Sequence, residues 1–363
     1  MKATVKTYLN VRAGKPSVNA PNYSYYKPGD QIEYIDIVEG DLYENSNLWL
    51  KGDDGNYYWS GGVEKIPDDA KVNWGINSLN VDKLWNYTQG EDIRVAVLDT
   101  GIDLHNTDLK EAIVEKWNFI DGNENVNDSS GHGTNCAGVI AARGKKNVIG
   151  VAPKANLVIA KIGNDSNNDL QPEIIMNAIE WAIKKNAIII SMSFGLVEPV
   201  PQIQNPYPEI KSILEKYFKL KKGIFISAIG NAGQLKKKVH VYPATFEECV
   251  AVGAINKTNK RLVTSNFSEF LDLLAPGADI LSTDLNNNTK LCSASSIATA
   301  FVSGVFALLT GYIAKKKINV NYQELIEIVY DSADNYGVTG KDIISGYGII
   351  NPNGALMKIK ARE

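Results

Sequence analysis

Three serines fall within four residues in Cys292-Ser-Ala-Ser-Ser-Ile-Ala-Thr-Ala-Phe-Val-Ser-Gly304, just ahead of an apolar run. A serine hydroxyl becomes a useful nucleophile only when a base takes its proton, and backbone N–H groups at a helix start can hold the resulting oxyanion. Ile297, Phe301, Val305 and Leu308 recur at helical spacing, with Ala298, Val302 and Leu309 beside them, so Ser296 stands at a helix start. Ser295 is open to a second reading as no more than a helix cap.

The base has few candidates, because the chain holds three histidines. His105 lies in a polar loop, and His240 sits between two valines beside a lysine run. His132 lies between glycines in Ser129-Ser-Gly-His-Gly-Thr-Asn-Cys-Ala-Gly138, where small residues let a helix pack closely and fix the imidazole. A carboxylate to orient that ring is offered by Arg94-Val-Ala-Val-Leu-Asp99-Thr-Gly, an apolar strand ending in an aspartate and a glycine turn. Functional groups gather at such strand ends in parallel sheets, although an aspartate there also opens turns for structural reasons.

These groups need a frame. Apolar strand runs at Arg94 to Leu98, Leu157 to Ile162, Ala187 to Ser191, Gly223 to Ser227 and Cys249 to Gly253 alternate with helix-length stretches. In Gln171 to Lys185, Ile174, Ile175, Ala178, Ile179, Ala182 and Ile183 share one face. Strands apolar on both sides and separated by helices predict an α/β domain whose mainly parallel sheet is covered on both faces. Residues 1–66 read differently: short alternating runs (Val5 to Val11, Gln31 to Val38, Leu48 to Lys51, Tyr57 to Ser60), separated by turn clusters, predict a small antiparallel barrel. Pro67 to Lys71 reads as linker, giving a division into 1–66, a linker over 67–79, and a catalytic unit over 80–363.

Composition narrows the function classes. A 363-residue chain with 44% hydrophobic content can bury a large core, and a net charge of −3 gives no general attraction to nucleic acid. Lysine runs at Lys236 to Lys238 and Lys315 to Lys317 read as solvated surface. Three cysteines (Cys136, Cys249, Cys292) lack metal-ligand spacing and predict no disulfide framework. The N-terminus lacks the apolar core of a secretory signal, and no window reads as a bilayer span. These features lean towards a cytoplasmic chain, with a secreted mature form left open.

Taken together, DTGI around Asp99, GHGTNCAG around His132 and SASSIATAFVSG around Ser296 resemble the subtilisin-like serine proteases (peptidase S8), in that family's order of Asp, His and Ser. Gly223-Ile-Phe-Ile-Ser-Ala-Ile-Gly-Asn231-Ala-Gly is similar to its oxyanion-hole segment. The resemblance implies a serine endopeptidase with Ser296 as nucleophile, His132 as general base and acid, Asp99 as its orienting partner and Asn231 as oxyanion donor. It further implies substrate binding along Ser193, Phe194 and Gly195, opposite Ala228 and Gly230, with Val241 at a pocket-floor position that is often smaller in the family. Medium apolar P1 residues are then expected. YLNVRAG, KPGDQIEYIDIVEG and WLKGDDGNYYWSGGVEKI resemble a bacterial SH3-like (SH3b) domain, which implies a possible peptide or cell-wall ligand.

No cofactor is expected to be required. Asp108 matches a calcium carboxylate of the family, but its partner loop, Arg143 to Ile149, is short and basic, so that calcium site is expected to be missing. Asp121 to Asp128 is oxygen-rich and reads as a polar loop or a cation site. The motif departs from the family at Ala294-Ser295, Ala300-Phe301 and Asn106-Thr107, none of which removes a catalytic group. Cys136 reads as a small buried residue or as the active-site thiol of one family branch. A catalytically weakened binding protein and an ester hydrolase are the alternatives; the complete set of four groups argues against the first.

Overall fold

The computed structural model describes the chain except residues 1, 44–45, 64–71, 165–169, 200–205, 234–238 and 338. The expected linker segment Pro67 to Lys71 and the lysine run Lys236 to Lys238 lie outside the described residues.

The chain opens with strands β1 (Lys2–Thr4), β2 (Leu9–Ala13), β3 (Asn22–Tyr26), β4 (Gln31–Glu33), β5 (Asp36–Tyr43), β6 (Ser46–Lys51) and β7 (Asn56–Trp59). They form small antiparallel sheets: β1 pairs with β4, and five strands run in the order β3-β2-β7-β6-β5. Val5, Leu9, Ile32, Tyr34, Trp49, Leu50 and Tyr58 make a separate apolar core. Helix α1 (Trp74–Ser78) then forms within the stretch expected as linker, capped by Asn73 Oδ1 accepting from Ile76 N–H at 3.2 Å. Its Ile76 is buried in the main core.

The frame continues with β8 (Arg94–Asp99), β9 (Ile113–Asn118), α2 (His132–Ala141), β10 (Asn156–Lys161), α3 (Pro172–Lys184), β11 (Ile189–Met192), β12 (Leu196–Pro199), α4 (Pro208–Lys219) and β13 (Ile224–Ala228). It is completed by β14 (Val239–Tyr242), β15 (Cys249–Ile255), β16 (Leu273–Pro276), β17 (Ile280–Thr283), β18 (Thr289–Cys292), α5 (Ser295–Lys316), α6 (Tyr322–Tyr330) and α7 (Pro352–Lys360). Seven of these strands form a parallel sheet in the order β16-β15-β13-β11-β8-β10-β9. Successive side chains leave opposite faces of a strand. On β8, accordingly, Val95 and Val97 enter the core shared with α2 and α5, and Ala96 and Leu98 enter the core shared with α3 and α4. Both faces are dry, which is why these strands read as continuous apolar runs.

Helix α5 crosses the larger core and is buried from Ser295 through Tyr312. By length and composition it is apolar enough to cross a membrane, which corrects the expectation that no window would be. Its burial supplies the physical reason, since a helix surrounded by core is apolar on all sides. The hairpin β17–β18 leads into α5 and meets β5 and β6, with Leu291 N–H donating to Glu39 Oε1 at 2.8 Å; just past β15, Lys257 Nζ pairs with Asp36 Oδ1 at 2.9 Å.

Candidate active site

Three carboxyl ends of the parallel sheet converge. Asp99 is the last residue of β8, Ser193 follows β11, and the 229–233 turn follows β13. Oδ1 of Asp99 lies 2.7 Å from Nδ1 of His132, the first residue of α2. With Nδ1 bound to a carboxylate, the imidazole carries its proton there and keeps Nε2 free to act as a base. The approach needs a glycine at position 133: a Cβ there would stand 2.2 Å from the Gly101 carbonyl oxygen and 3.2 Å from Asp99 Cβ. Burial works against a charged imidazolium, but the Asp99 carboxylate outweighs it and holds His132 well above its usual pKa.

Two further groups fix this pair, and neither was singled out from the sequence for that task. Asp128 accepts from Thr100 Oγ1 (2.8 Å), from Thr134 Oγ1 (2.7 Å) and from the N–H groups of Ser130, Gly131 and Thr134. It thereby joins the Asp99 turn to the start of α2. Burial pushes its carboxyl up, yet the donors around it prevail and its pKa lies below the usual value. Lys161, buried at the end of β10, donates to Thr100 O (2.6 Å) and Asn127 O (3.0 Å) from below. Spacing toward a remote turn leaves no periodic signal, so only the fold brings these residues into view.

Each of the three serines has a distinct setting. Ser293 Oγ accepts from Asp279 N–H at 2.8 Å and is exposed. The Ser295 hydroxyl makes no cap bond; the N-cap is Ala294, and Ser295 Oγ accepts from Gly230 N–H at 3.2 Å. Ser296 is buried in the first turn of α5, with its carbonyl accepting from Ser193 Oγ at 3.0 Å. Ser193 also meets the Cys136 thiol, whose sulfur is 4.0 Å from His132 Nδ1. His132, Cys136, Ser193 and Ser296 therefore form an unbroken chain of contacts. Burial pushes the Cys136 thiol up, so it stays protonated and packs as part of the core.

Asn231 is exposed on the turn after β13, and its Oδ1 accepts from Ser295 N–H at 2.8 Å. With the oxygen so occupied, the Nδ2 donor faces away from that bond. The neighbouring groups of the expected pocket lie together: Phe194 and Ala228 are buried, and Val241 packs between Gly195 and Gly230. A Cβ on Gly195 would stand 2.3 Å from Val241 Cγ1, and one on Gly230 would stand 2.9 Å from Val241 Cγ2.

The carboxylates of the two loops weighed for a cation accept from protein donors. Asp108 accepts from the N–H groups of Lys146 (2.7 Å), Asn147 (3.0 Å) and Val148 (3.1 Å), so the short basic loop caps it directly. In the oxygen-rich loop, Asp121 accepts from Asn118 Nδ2 at 2.9 Å, and Asp128 is engaged as above. Among the described residues, Asp99, His132 and Cys136 have ligand atoms within 4.8 Å of one another, a spacing suited to a soft cation. The motif departures are absorbed structurally: Phe301 is fully buried in the core, and Asn106 is buried, donating to Asp284 O at 3.2 Å and accepting from Asp108 N–H at 3.0 Å.

A parallel α/β sheet that sets Asp99 against His132 at its carboxyl ends, with the helix-start Ser296 linked to them through Cys136 and Ser193, is a frame of the serine-hydrolase kind. The subtilase (peptidase S8) family model matches residues 90–348, and the chain belongs to that family. It is 36% identical to the major intracellular serine protease of Bacillus subtilis over 69% of this chain and 78% of that one. It is 37% identical to the intracellular serine protease of Paenibacillus polymyxa over 65% of this chain and 72% of the relative. The solved structure of the prenylagaramide maturation protease PagA superposes with a TM-score of 0.68 at 26% identity, covering 78% of this chain and 99% of that one. The protein is a serine endopeptidase of the subtilisin type.

Proposed function

We propose that Ser296 attacks the scissile peptide carbonyl, His132 takes the hydroxyl proton and hands it to the leaving amine, and Asp99 holds the ring and its developing charge. Asn231 Nδ2 and the Ser296 N–H receive the oxyanion, in a site whose donors are set before the charge forms. Water then attacks the acyl carbon on Ser296, giving its proton to His132, which returns it to Ser296 Oγ as the carboxylic acid product leaves. The observation that carries this reading is the 2.7 Å contact of Asp99 Oδ1 with His132 Nδ1, which leaves Nε2 as the base. Peptide mapping by mass spectrometry after treatment with a fluorophosphonate tests it. Label on Ser296 is expected; label on Ser293 or Ser295, with Ser296 unmodified, would contradict it.

An extended substrate pairs along Ser193, Phe194 and Gly195, opposite Ala228 and Gly230. The methyl groups of Val241 between the two glycines support a pocket of moderate depth for medium apolar P1 side chains. The chemistry needs no cofactor, and the backbone donors around Asp108 support the reading that this carboxylate holds no calcium. The likeness to two intracellular serine proteases supports an intracellular setting.

For residues 1–66 we propose an SH3-like module ahead of a catalytic unit over 80–363. The five-stranded antiparallel sheet with a core of its own supports it. Tyr8 and Tyr25 are exposed with their rings 5.5 Å apart, a surface suited to a peptide or cell-wall ligand. Co-sedimentation with purified cell walls, with and without Tyr8→Ala and Tyr25→Ala, tests that part.

A further inference from the structure

Asn231 presents a difficulty. It is exposed, on a turn with a glycine on one side at φ +98° and a second glycine two residues on, yet an oxyanion donor is effective only if it is fixed before charge develops. Among the described residues, its own side chain is held by one bond, from Ser295 N–H. The rigidity must come from elsewhere.

Asn266 supplies it. It is 6% exposed, and three of its polar groups point at the turn that carries Asn231. Its backbone N–H donates to Gly230 O at 2.9 Å, its Nδ2 donates to Ile229 O at 2.9 Å, and its Oδ1 accepts from Ala232 N–H at 2.7 Å. Those bonds flank Asn231 on both sides. The neighbouring residue extends the same seam, because Gly233 N–H donates to Thr264 O at 2.8 Å. A Cβ on Gly230 would stand 2.6 Å from Asn266 Nδ2, so the left-handed glycine and the asparagine are fitted to each other. Asn266 is anchored in turn: Arg261 donates to Ser265 O and lies 4.9 Å over the Phe267 ring, and Ser265 Oγ accepts from Ala254 N–H at 3.1 Å.

We propose that Asn266 is a positioning residue for catalysis: its carboxamide clamps the 229–232 turn so that Asn231 Nδ2 is aimed at the oxyanion. The proposal rests on Asn231 being an oxyanion donor. An amide is required at position 266, since one end must donate to a carbonyl while the other accepts from an N–H. A carboxylate of the same size would set an acceptor against Ile229 O.

The test is a double-mutant cycle on a peptide p-nitroanilide with valine at P1, reading kcat and KM separately. Asn231→Ala is expected to lower kcat by about 10² to 10³. Asn266→Ala and Asn266→Asp are each expected to lower kcat by about tenfold, with KM changed less than about twofold, when Asn231 is present. In the Asn231→Ala background the same changes should lower kcat by less than about twofold, because there is no donor left to aim. Equal kcat losses in both backgrounds, or a loss confined to KM, would overturn the positioning role while leaving Asn231 as donor. A kcat unchanged by Asn231→Ala would instead remove the oxyanion reading itself, and this proposal with it. Should Asn266→Ala not fold, the near-isosteric Asn266→Asp carries the same comparison.

Discussion

Asp99 Oδ1 and His132 Nδ1 meet at 2.7 Å because the last residue of β8 and the first residue of α2 are pressed together across two glycines. The contact raises the basicity of His132: burial opposes the charged ring, and the carboxylate beside it wins.

A pH dependence follows. Ser296 can lose its proton only to a neutral imidazole, so activity should fall as pH drops through the raised His132 pKa, above the ordinary 6.5. Asp99→Asn removes the charge that raises it. The acid limb of kcat/KM should then move to lower pH, and kcat should fall by about 10⁴. An acid limb that does not move would show that another group controls it.

Gly133 should tolerate no side chain. An alanine Cβ would stand 2.2 Å from a backbone oxygen, which cannot yield as a side chain would. Gly133→Ala is expected to cost about 1–3 kcal/mol in stability and to displace His132, lowering kcat much further than the melting shift would explain. Denaturant melts beside steady-state kinetics check both halves; native kcat would contradict the packing argument.

Val241 should set the depth of the P1 pocket. Its two methyls occupy the space between Gly195 and Gly230. Val241→Gly should raise kcat/KM for Phe or Tyr at P1 relative to Val by about 10 to 100-fold, the scale of a few methylenes in an apolar pocket. A P1-varied peptide library reads the ratio, and an unchanged profile would place the pocket floor elsewhere.

Cys136 should make the enzyme sensitive to soft cations. Its sulfur is 4.0 Å from His132 Nδ1, and Asp99 completes a set of ligand atoms within 4.8 Å. Mercuric ion should inhibit, with dithiothreitol restoring activity, and Cys136→Ala should remove the effect at little cost to kcat. Inhibition that persists in the variant would assign it to Cys249 or Cys292.

What could be read from the sequence was what is written locally. The apolar runs of the parallel strands and the helix at Gln171 to Lys185 fall within one or two residues of β8, β10, β11, β13, β15 and α3, because burial on both faces leaves an unmistakable pattern. Asp99, His132 and Ser296 stand out because each sits at an element end among small residues. Asp128, Lys161 and Asn266 do not: Lys161 and Asn266 meet backbone groups brought near only by folding, and Asp128 reaches the Thr100 hydroxyl in the same way. Ser193 shows the same limit: its place just past the Ala187 to Ser191 strand run is legible, whereas the bond from its hydroxyl to Ser296 O depends on how α5 docks. The hydroxyl of Ser295, open to a capping role on sequence grounds, turns to Gly230 because Ala294 takes the N-cap position.

The central claim is that one of three adjacent serines is the nucleophile, and the most direct measurement is kcat on unfolded casein for Ser293→Ala, Ser295→Ala and Ser296→Ala beside the native enzyme. The account predicts a loss of about 10⁶ for Ser296→Ala, a modest loss for Ser295→Ala through its bond to Gly230, and near-native turnover for Ser293→Ala. Appreciable casein cleavage by Ser296→Ala, or its abolition in Ser293→Ala, would contradict it.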